Sequence, residues 1–176
     1  MRRLSLLPAL AALAVMLCAA APKPVSAVPE AAACGAEGQG PELRVNVEGL
    51  KDGRGVLRLE LYPPVDGDFL QDDYLLVKAG KPFRRVVVEA PAADPVVLCI
   101  RAPEPGRYAV ALIHARRNQQ SFSPFVDGIG FGNNPHLSFS KPKARQATVE
   151  IGPGATETTI VMNYLNGLSI SPGRRH

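Results

Sequence analysis

The chain has no tryptophan, and histidine and cysteine contribute three residues each to its 176. Little catalytic chemistry can be built from so few. Cys18, Cys34 and Cys99 form neither a CxxC pair nor a metal-ligand spacing, so redox catalysis and structural zinc lack their usual ligands. His114, His136 and His176 do not fall in an HExxH motif, and neither a GxSxG nor a P-loop segment occurs. Gly128, Gly130 and Gly132 stand between strand-like runs rather than at a strand-to-helix turn, which removes a dinucleotide reading. No window of useful length carries the 3.6-residue apolar period of a helix, and 16 glycines with 17 prolines would interrupt one. Long apolar runs are confined to the N-terminus.

That run reads as an export signal. Arg2 and Arg3 give the positive start, Leu4 to Ala21 is nearly all Leu, Ala and Val, and Val25-Ser26-Ala27 offers small residues to signal peptidase. The stretch is broken by Pro8 and followed by Pro22 and Pro24, short and poorly flanked for a membrane span. Ser5 stands where a twin-arginine signal carries a large apolar residue, which favours the general secretory route. Cleavage near Ala27, a mature start at Val28, a periplasmic or secreted location and no transmembrane span after cleavage are therefore expected.

Loss of residues 1–27 removes Arg2, Arg3 and Lys23 from the 20 basic residues, leaving 17 against 16 acidic ones and a net charge of +1. The basic character of the whole chain belongs to the signal, and nucleic-acid binding is not implied. Cys34 and Cys99 survive, and two thiols in an oxidising compartment imply one disulfide. Such a bridge would staple an Ala/Gly-rich leader, residues 28–41, to the apolar run Val96 to Ile100. No cofactor is expected.

Through the remainder the dominant period is two. Leu43, Val45 and Val47 alternate with Glu42, Arg44, Asn46 and Glu48; beyond Lys51 to Gly55, Leu57, Leu59 and Leu61 alternate with Arg58, Glu60 and Tyr62. We read a hairpin with one wet and one dry face. Further strands are expected at Phe83–Glu89, Pro95–Arg101, Arg107–His114, Ala147–Ile151 and Thr158–Tyr164, divided by Pro and Gly turn signals. Seven short strands in residues 42–168, with a tail at 169–176, predict an all-β sandwich of transthyretin-like or immunoglobulin-like type with one long aromatic loop.

Two connections break the spacing, and function on a sandwich resides in such connections. Residues 64–73 gather Asp66, Asp68, Asp72 and Asp73, oxygens of the kind a hard cation wants, though without the bidentate Glu of an EF-hand. Residues 115–140 hold Phe122, Phe125, Phe131 and Phe139 and the run Asp127-Gly128-Ile129-Gly130-Phe131-Gly132-Asn133-Asn134-Pro135. The glycines there permit positive φ or close backbone approach, and Pro135 favours extended geometry at Asn134, so an ordered turn is expected.

With Arg107-Tyr108-Ala109-Val110, His114, Lys141-Pro142 and the closing Asn163-Tyr164, that run resembles the bacterial secreted family catalogued as domain of unknown function 2141, over roughly Leu43 to Tyr164. The resemblance implies a transthyretin-like sandwich and export, and no established activity. Members typically follow the strand histidine with an Asp-x-Asn-x-Asn-Gly turn suited to a cation. Here Ala115-Arg116-Arg117-Asn118-Gln119-Gln120 removes ligands and adds two positive charges, so a cation site there is not expected.

Between residues 105 and 149, Arg107, Arg116, Arg117, Lys141, Lys143 and Arg145 face a single acid, Asp127. A non-catalytic binding or envelope-associated module follows as the leading reading. Arg116, Arg117, Lys141 and Lys143 would attract an anionic envelope component, a lipid headgroup or polysaccharide, or another envelope protein. Phe122, Phe125 and Phe131 would add apolar contact, and Asp127, Asn133, Asn134 and His136 polar groups. A plainer alternative makes the phenylalanines the private core of the loop, with its charges merely solvated. A divalent cation at Asp66 to Asp73 is the second reading, and an enzyme built on His114, Asp127 and His136 the third; His114 is most simply a strand-end ring donating to a loop carbonyl. Intact-mass measurement on the exported protein should give a chain starting at Val28 that gains two hydrogens on reduction; retention of residues 1–27, or two alkylatable thiols without reductant, would contradict this.

Overall fold

A strand presents its side chains alternately to its two faces, so each two-residue apolar period selects one face for burial. In the computed structural model, which describes residues 34–35, 40–117 and 121–175, those faces meet between two sheets. The expected signal segment, Val28, Asn118 to Gln120 and His176 lie outside the described residues. Strands β1 (Glu42–Glu48), β4 (Val96–Arg101) and β8 (Ala155–Val161) make a three-stranded sheet in the order β4-β1-β8, with β1 antiparallel to β4 and parallel to β8. The larger sheet holds β2 (Val56–Tyr62), β3 (Arg84–Glu89), β5 (Gly106–Ala115), β6 (Gly128–Phe131), β7 (Thr148–Ile151), β9 (Asn163–Asn166) and β10 (Ser169–Pro172). Its order is β10-β9-β6-β5-β2-β3, and β7 pairs with the first part of β5.

The all-β sandwich agrees with the sequence reading, and three details differ. First, β1 and β2 are not a hairpin: β1 pairs with β4 and β8, β2 with β3 and β5. Their leucines are buried against one another across the interior, together with Leu98, Ile100, Leu112 and Ile160. A period of two identifies a buried face, and two such faces can lie edge to edge or face to face. Second, ten strands replace the expected seven among the described residues. The long loop contains β6, the last expected strand divides at Met162 into β8 and β9, and the residues expected as a tail pair with β9 as β10. A short helix, α1 (Asp73–Lys78), also occurs, capped by the Asp72 carboxylate accepting from the Tyr74 amide at 2.9 Å. No helix among the described residues is long and apolar enough to cross a membrane.

Third, the polar face of β2 is not wet. Residues 63–81, with α1, lie over the outer face of the large sheet and bury Phe69 and Leu76 there beside Tyr62, Phe83 and Phe131. Their rings meet edge to face, with centroids 5.7 Å apart for Tyr62 and Phe69 and 5.2 Å for Tyr62 and Phe83. The molecule therefore has a second, smaller core outside the sandwich.

The expected disulfide is present. Cys34 and Cys99 form a disulfide with Cα atoms 5.0 Å apart, across 65 residues of sequence. Closing a loop of that length contributes roughly 4 kcal/mol in the chain-entropy account. Cys99 pairs with Arg44 on the outer face of the small sheet, where the Gly35 amide donates to Glu42 at 2.9 Å and Arg44 donates to the Gly35 carbonyl at 3.1 Å.

Between the sheets, the alternate glycines of the Asp127 to Pro135 run permit close approach rather than unusual φ, since none of Gly128, Gly130 and Gly132 is at positive φ. A Cβ on Gly130 would stand 2.5 Å from Ile160 Cγ2 and 2.8 Å from the Val161 carbonyl oxygen. Asn133 and Asn134 hold the turn at φ 60° and 45°, so Asn134 is left-handed, not extended as expected before Pro135. Its side chain fixes it there, donating to the Thr159 carbonyl and accepting from the Val161 amide, both at 2.8 Å, while Asn133 donates to the Thr148 carbonyl. This turn thus ties the large sheet to β8. Gly130→Ala should destabilise by about 1–3 kcal/mol through overpacking, measurable by urea unfolding, with an unchanged midpoint counting against a tight contact.

Candidate functional site

The residues singled out in the sequence separate into two groups, those that fix the long connection and those that surround a groove. His114 ends β5 with its ring fully buried. Its Nε2 lies 2.7 Å from the Arg54 carbonyl and its Nδ1 2.6 Å from the Tyr164 hydroxyl. A carbonyl can only accept, so the proton resides on Nε2, and Nδ1 accepts from Tyr164. Tyr164 in turn accepts from the Lys51 amide at 3.2 Å. The strand-end role expected of His114 is the one observed. Burial pushes the imidazole below its ordinary pKa, and the nearby Asp52 and Asp127 carboxylates only partly offset it. Burial likewise pushes the Tyr164 phenol up to about 12, so it is a neutral donor.

Asp127 is buried and saturated by backbone, accepting from the Arg116 amide at 3.0 Å and the Ser123 amide at 2.8 Å. Arg116 grips Asp52, Nε to Oδ2 at 3.1 Å and Nη2 to the same oxygen, and donates to the Val126 carbonyl at 3.3 Å. Burial pushes the Asp52 carboxyl up, yet the Arg116 bonds and charge prevail and hold it below its usual range. Arg116 is thus a clamp for the start of the long connection rather than a cation offered to solvent. His136 is exposed while His114 is enclosed.

The four loop aspartates have separate partners. Asp66 accepts from the Ala144 amide at 2.7 Å and lies 3.5 Å from Lys143, Asp68 pairs with Lys81, Asp72 caps α1 and Asp73 binds Arg85. No group of three or more His, Cys, Asp or Glu side chains among the described residues is placed to hold a metal ion.

The groove runs across the outer face of the large sheet. Two hollows of about 1040 Å³ and 370 Å³ adjoin there, with Leu70, Phe122 and Ile129 lining both. The larger is mixed, with Arg58, Glu60, Arg85, Asp72 and Asp73 set among Val56, Leu70, Val87, Ile113 and Ile129. Glu60, 1% exposed, accepts from Tyr62 at 2.6 Å and from Arg85 Nε at 2.6 Å. The smaller has a floor of Ile129, Phe131, Leu165 and Ile170 and walls from Phe122, Leu137, Phe139 and Pro142. Phe131 is buried, whereas Phe122, Phe139 and Phe125 are 40%, 78% and 81% exposed. Lys141 stands at the rim and donates to the Phe69 carbonyl at 3.1 Å. Arg117 is exposed, and Lys143 leans toward Asp66. Asn133 and Asn134 serve the turn described above and do not line the groove.

A family model described as an uncharacterized protein conserved in bacteria, DUF2141, matches residues 45–159. The chain belongs to the DUF2141 family. No curated protein and no solved structure matches it. The matched DUF2141 span includes the two connections that cover the outer face and ends within β8, ahead of the β9 and β10 strands that floor one side of the groove.

Sequence reasoning placed Arg58 and Glu60 on a wet face and did not single out Arg85. Glu60 and Arg85 are direct cross-strand partners, a relation visible only once β2 is paired with β3.

His114 gives a pH signature. Its folded pKa lies below the ordinary 6.5, so below that pH the unfolded chain takes up a proton that the folded one refuses. Stability should be fully present above pH 6.5 and fall as pH drops through it, by up to about 1.4 kcal/mol per pH unit. Urea unfolding at pH 7.5, 6.5 and 5.5 should show this slope in the wild type and lose it in His114→Gln; equal slopes would exclude the buried ring as its source.

Proposed function

We propose that the protein is an exported, non-catalytic binding module that takes an anionic amphiphile on the outer face of its large sheet. One observation carries this reading: the apolar hollow of the groove, floored by Ile129, Phe131, Leu165 and Ile170 and bordered by the solvent-exposed Phe122 and Phe139. Large aromatic rings left in contact with water beside an apolar floor gain by covering, at about 25 cal/mol per Å² removed from water. An acyl chain lies along this floor and its anionic head meets Lys141, with the neighbouring Lys143 adding attraction. Arg116, engaged with Asp52, plays no direct part.

The non-catalytic side of the reading is supported by the saturation of His114 and Asp127 and by the distribution of the aspartates among different partners. The disulfide suits an oxidising, extracytoplasmic compartment, in line with the export signal.

Titration with a fluorescent anionic fatty-acid analogue should give saturable binding that weakens about tenfold in Phe122→Ser and again in Phe139→Ser, near 1.4 kcal/mol for each ring. Both side chains are exposed, so melting temperature should change little. Lys141→Gln should weaken the analogue but spare its neutral alcohol. Absence of saturable binding by the wild type up to on the order of 100 μM, or equal affinity in the phenylalanine variants, would remove the groove from consideration.

A further inference from the structure

A third hollow, of about 420 Å³, lies on the opposite side of the β9–β10 hairpin from the groove and is lined by Lys51, Tyr164, Asn166, Ser171, Pro172, Gly173 and Arg174. Two of those residues are cations and none is acidic. The other polar residues are arranged as donors too. Asn166 Nδ2 donates to Ser171 Oγ at 2.7 Å, which occupies an acceptor site on the hydroxyl and leaves its proton to point elsewhere. Tyr164 is turned inward, its hydroxyl donating to His114 and accepting from the Lys51 amide, so it offers the hollow a ring wall. The Lys51 ammonium lies 5.7 Å from the centre of that ring, a cation–π contact that keeps it over the wall without neutralising it.

Among the described residues, neither cation has a carboxylate partner. Asp52, which follows Lys51, is engaged by Arg116, and Asp94 by Arg175. The position is fixed by the backbone, because the Gly173 amide donates to the Met162 carbonyl at 3.1 Å. A Cβ on Gly173 would stand 2.2 Å from the Gly49 carbonyl oxygen and 2.6 Å from the Tyr164 ring, so this segment is seated against the β1–β2 connection that carries Lys51. Two uncompensated cations and a free hydroxyl donor around one concavity are the donor set that phosphate chemistry requires.

We infer that this hollow is a binding site for a phosphate-type oxyanion, held by Lys51, Arg174 and Ser171. It is separate from the groove and stands whether or not the groove binds an amphiphile. The same chemistry is presented by free phosphate and by a phospholipid headgroup, which two arms of one experiment distinguish. In the first, inorganic phosphate is titrated at low salt into the disulfide-bonded protein and followed by amide and side-chain chemical shifts. Saturable shifts at Lys51, Ser171 and Arg174 are expected in the millimolar range or tighter, weakened at least tenfold in Lys51→Gln and in Arg174→Gln. In the second arm, phosphatidylglycerol vesicles are sedimented with the wild type, the same two variants and Phe122→Ser. Vesicle association lost in Lys51→Gln but retained in Phe122→Ser, without an effect of free phosphate, assigns the site to a headgroup. Arg107→Gln removes an exposed cation remote from the hollow and serves as the control. The inference is overturned if neither arm responds to Lys51→Gln, or if Arg107→Gln weakens binding as much as Lys51→Gln does, since general charge would then account for it.

Discussion

Strand β5 is buried along both of its faces, and the layering of the molecule follows from that. Tyr108, Val110, Leu112 and His114 point between the sheets, while Ala109, Ala111, Ile113 and Ala115 point outward. Had the outward residues been charged, the large sheet would be solvated on one side, as antiparallel sheets commonly are. Small alanines instead allow Phe131 and the 63–81 connection to settle close to the strand, and the second core forms. A buried Glu60 is tolerated on the adjacent strand only because Tyr62 and Arg85 satisfy it there. Burial and its neighbouring charge push the Tyr62 phenol well up, so it remains the donor in that pair.

The groove is thus a by-product of incomplete covering. Connections 63–81 and 132–147 bury the outer face near Tyr62, Phe69 and Ala144, while the remainder stays open between α1, the start of the long connection and the β9–β10 hairpin. Two kinds of phenylalanine result from one loop-rich region. Phe131 is core because it belongs to a strand; Phe122, Phe125 and Phe139 sit on connecting segments with no layer beyond them.

Fold class was legible in the sequence because period-two burial is a local property, and the strands from Arg84 to Ala115 lie where the apolar runs placed them. Sheet membership was not, since β1 and β2 carry the same pattern whether paired or opposed. The disulfide was legible because only two cysteines remain once the export signal is set aside. For the candidate site, the aromatic content of the long connection pointed to the region where the groove lies. The partners of Arg116 and of the aspartates were not legible for a common reason: charge in a sequence says nothing of which opposite charge the fold brings to it, and Asp52 meets Arg116 across 64 positions. The glycine run marked an ordered turn correctly, with close packing on β8 as the cause.

The disulfide anchors Cys34 on the outer face of the small sheet, whereas the groove occupies the outer face of the large one. The whole thickness of the sandwich stands between the two. Whatever is attached ahead of Cys34, whether a surface for immobilisation, a fluorophore or a fused partner, enters from the back of the molecule. The groove is then left facing outward, which makes this end of the chain the natural handle for any measurement on the other side.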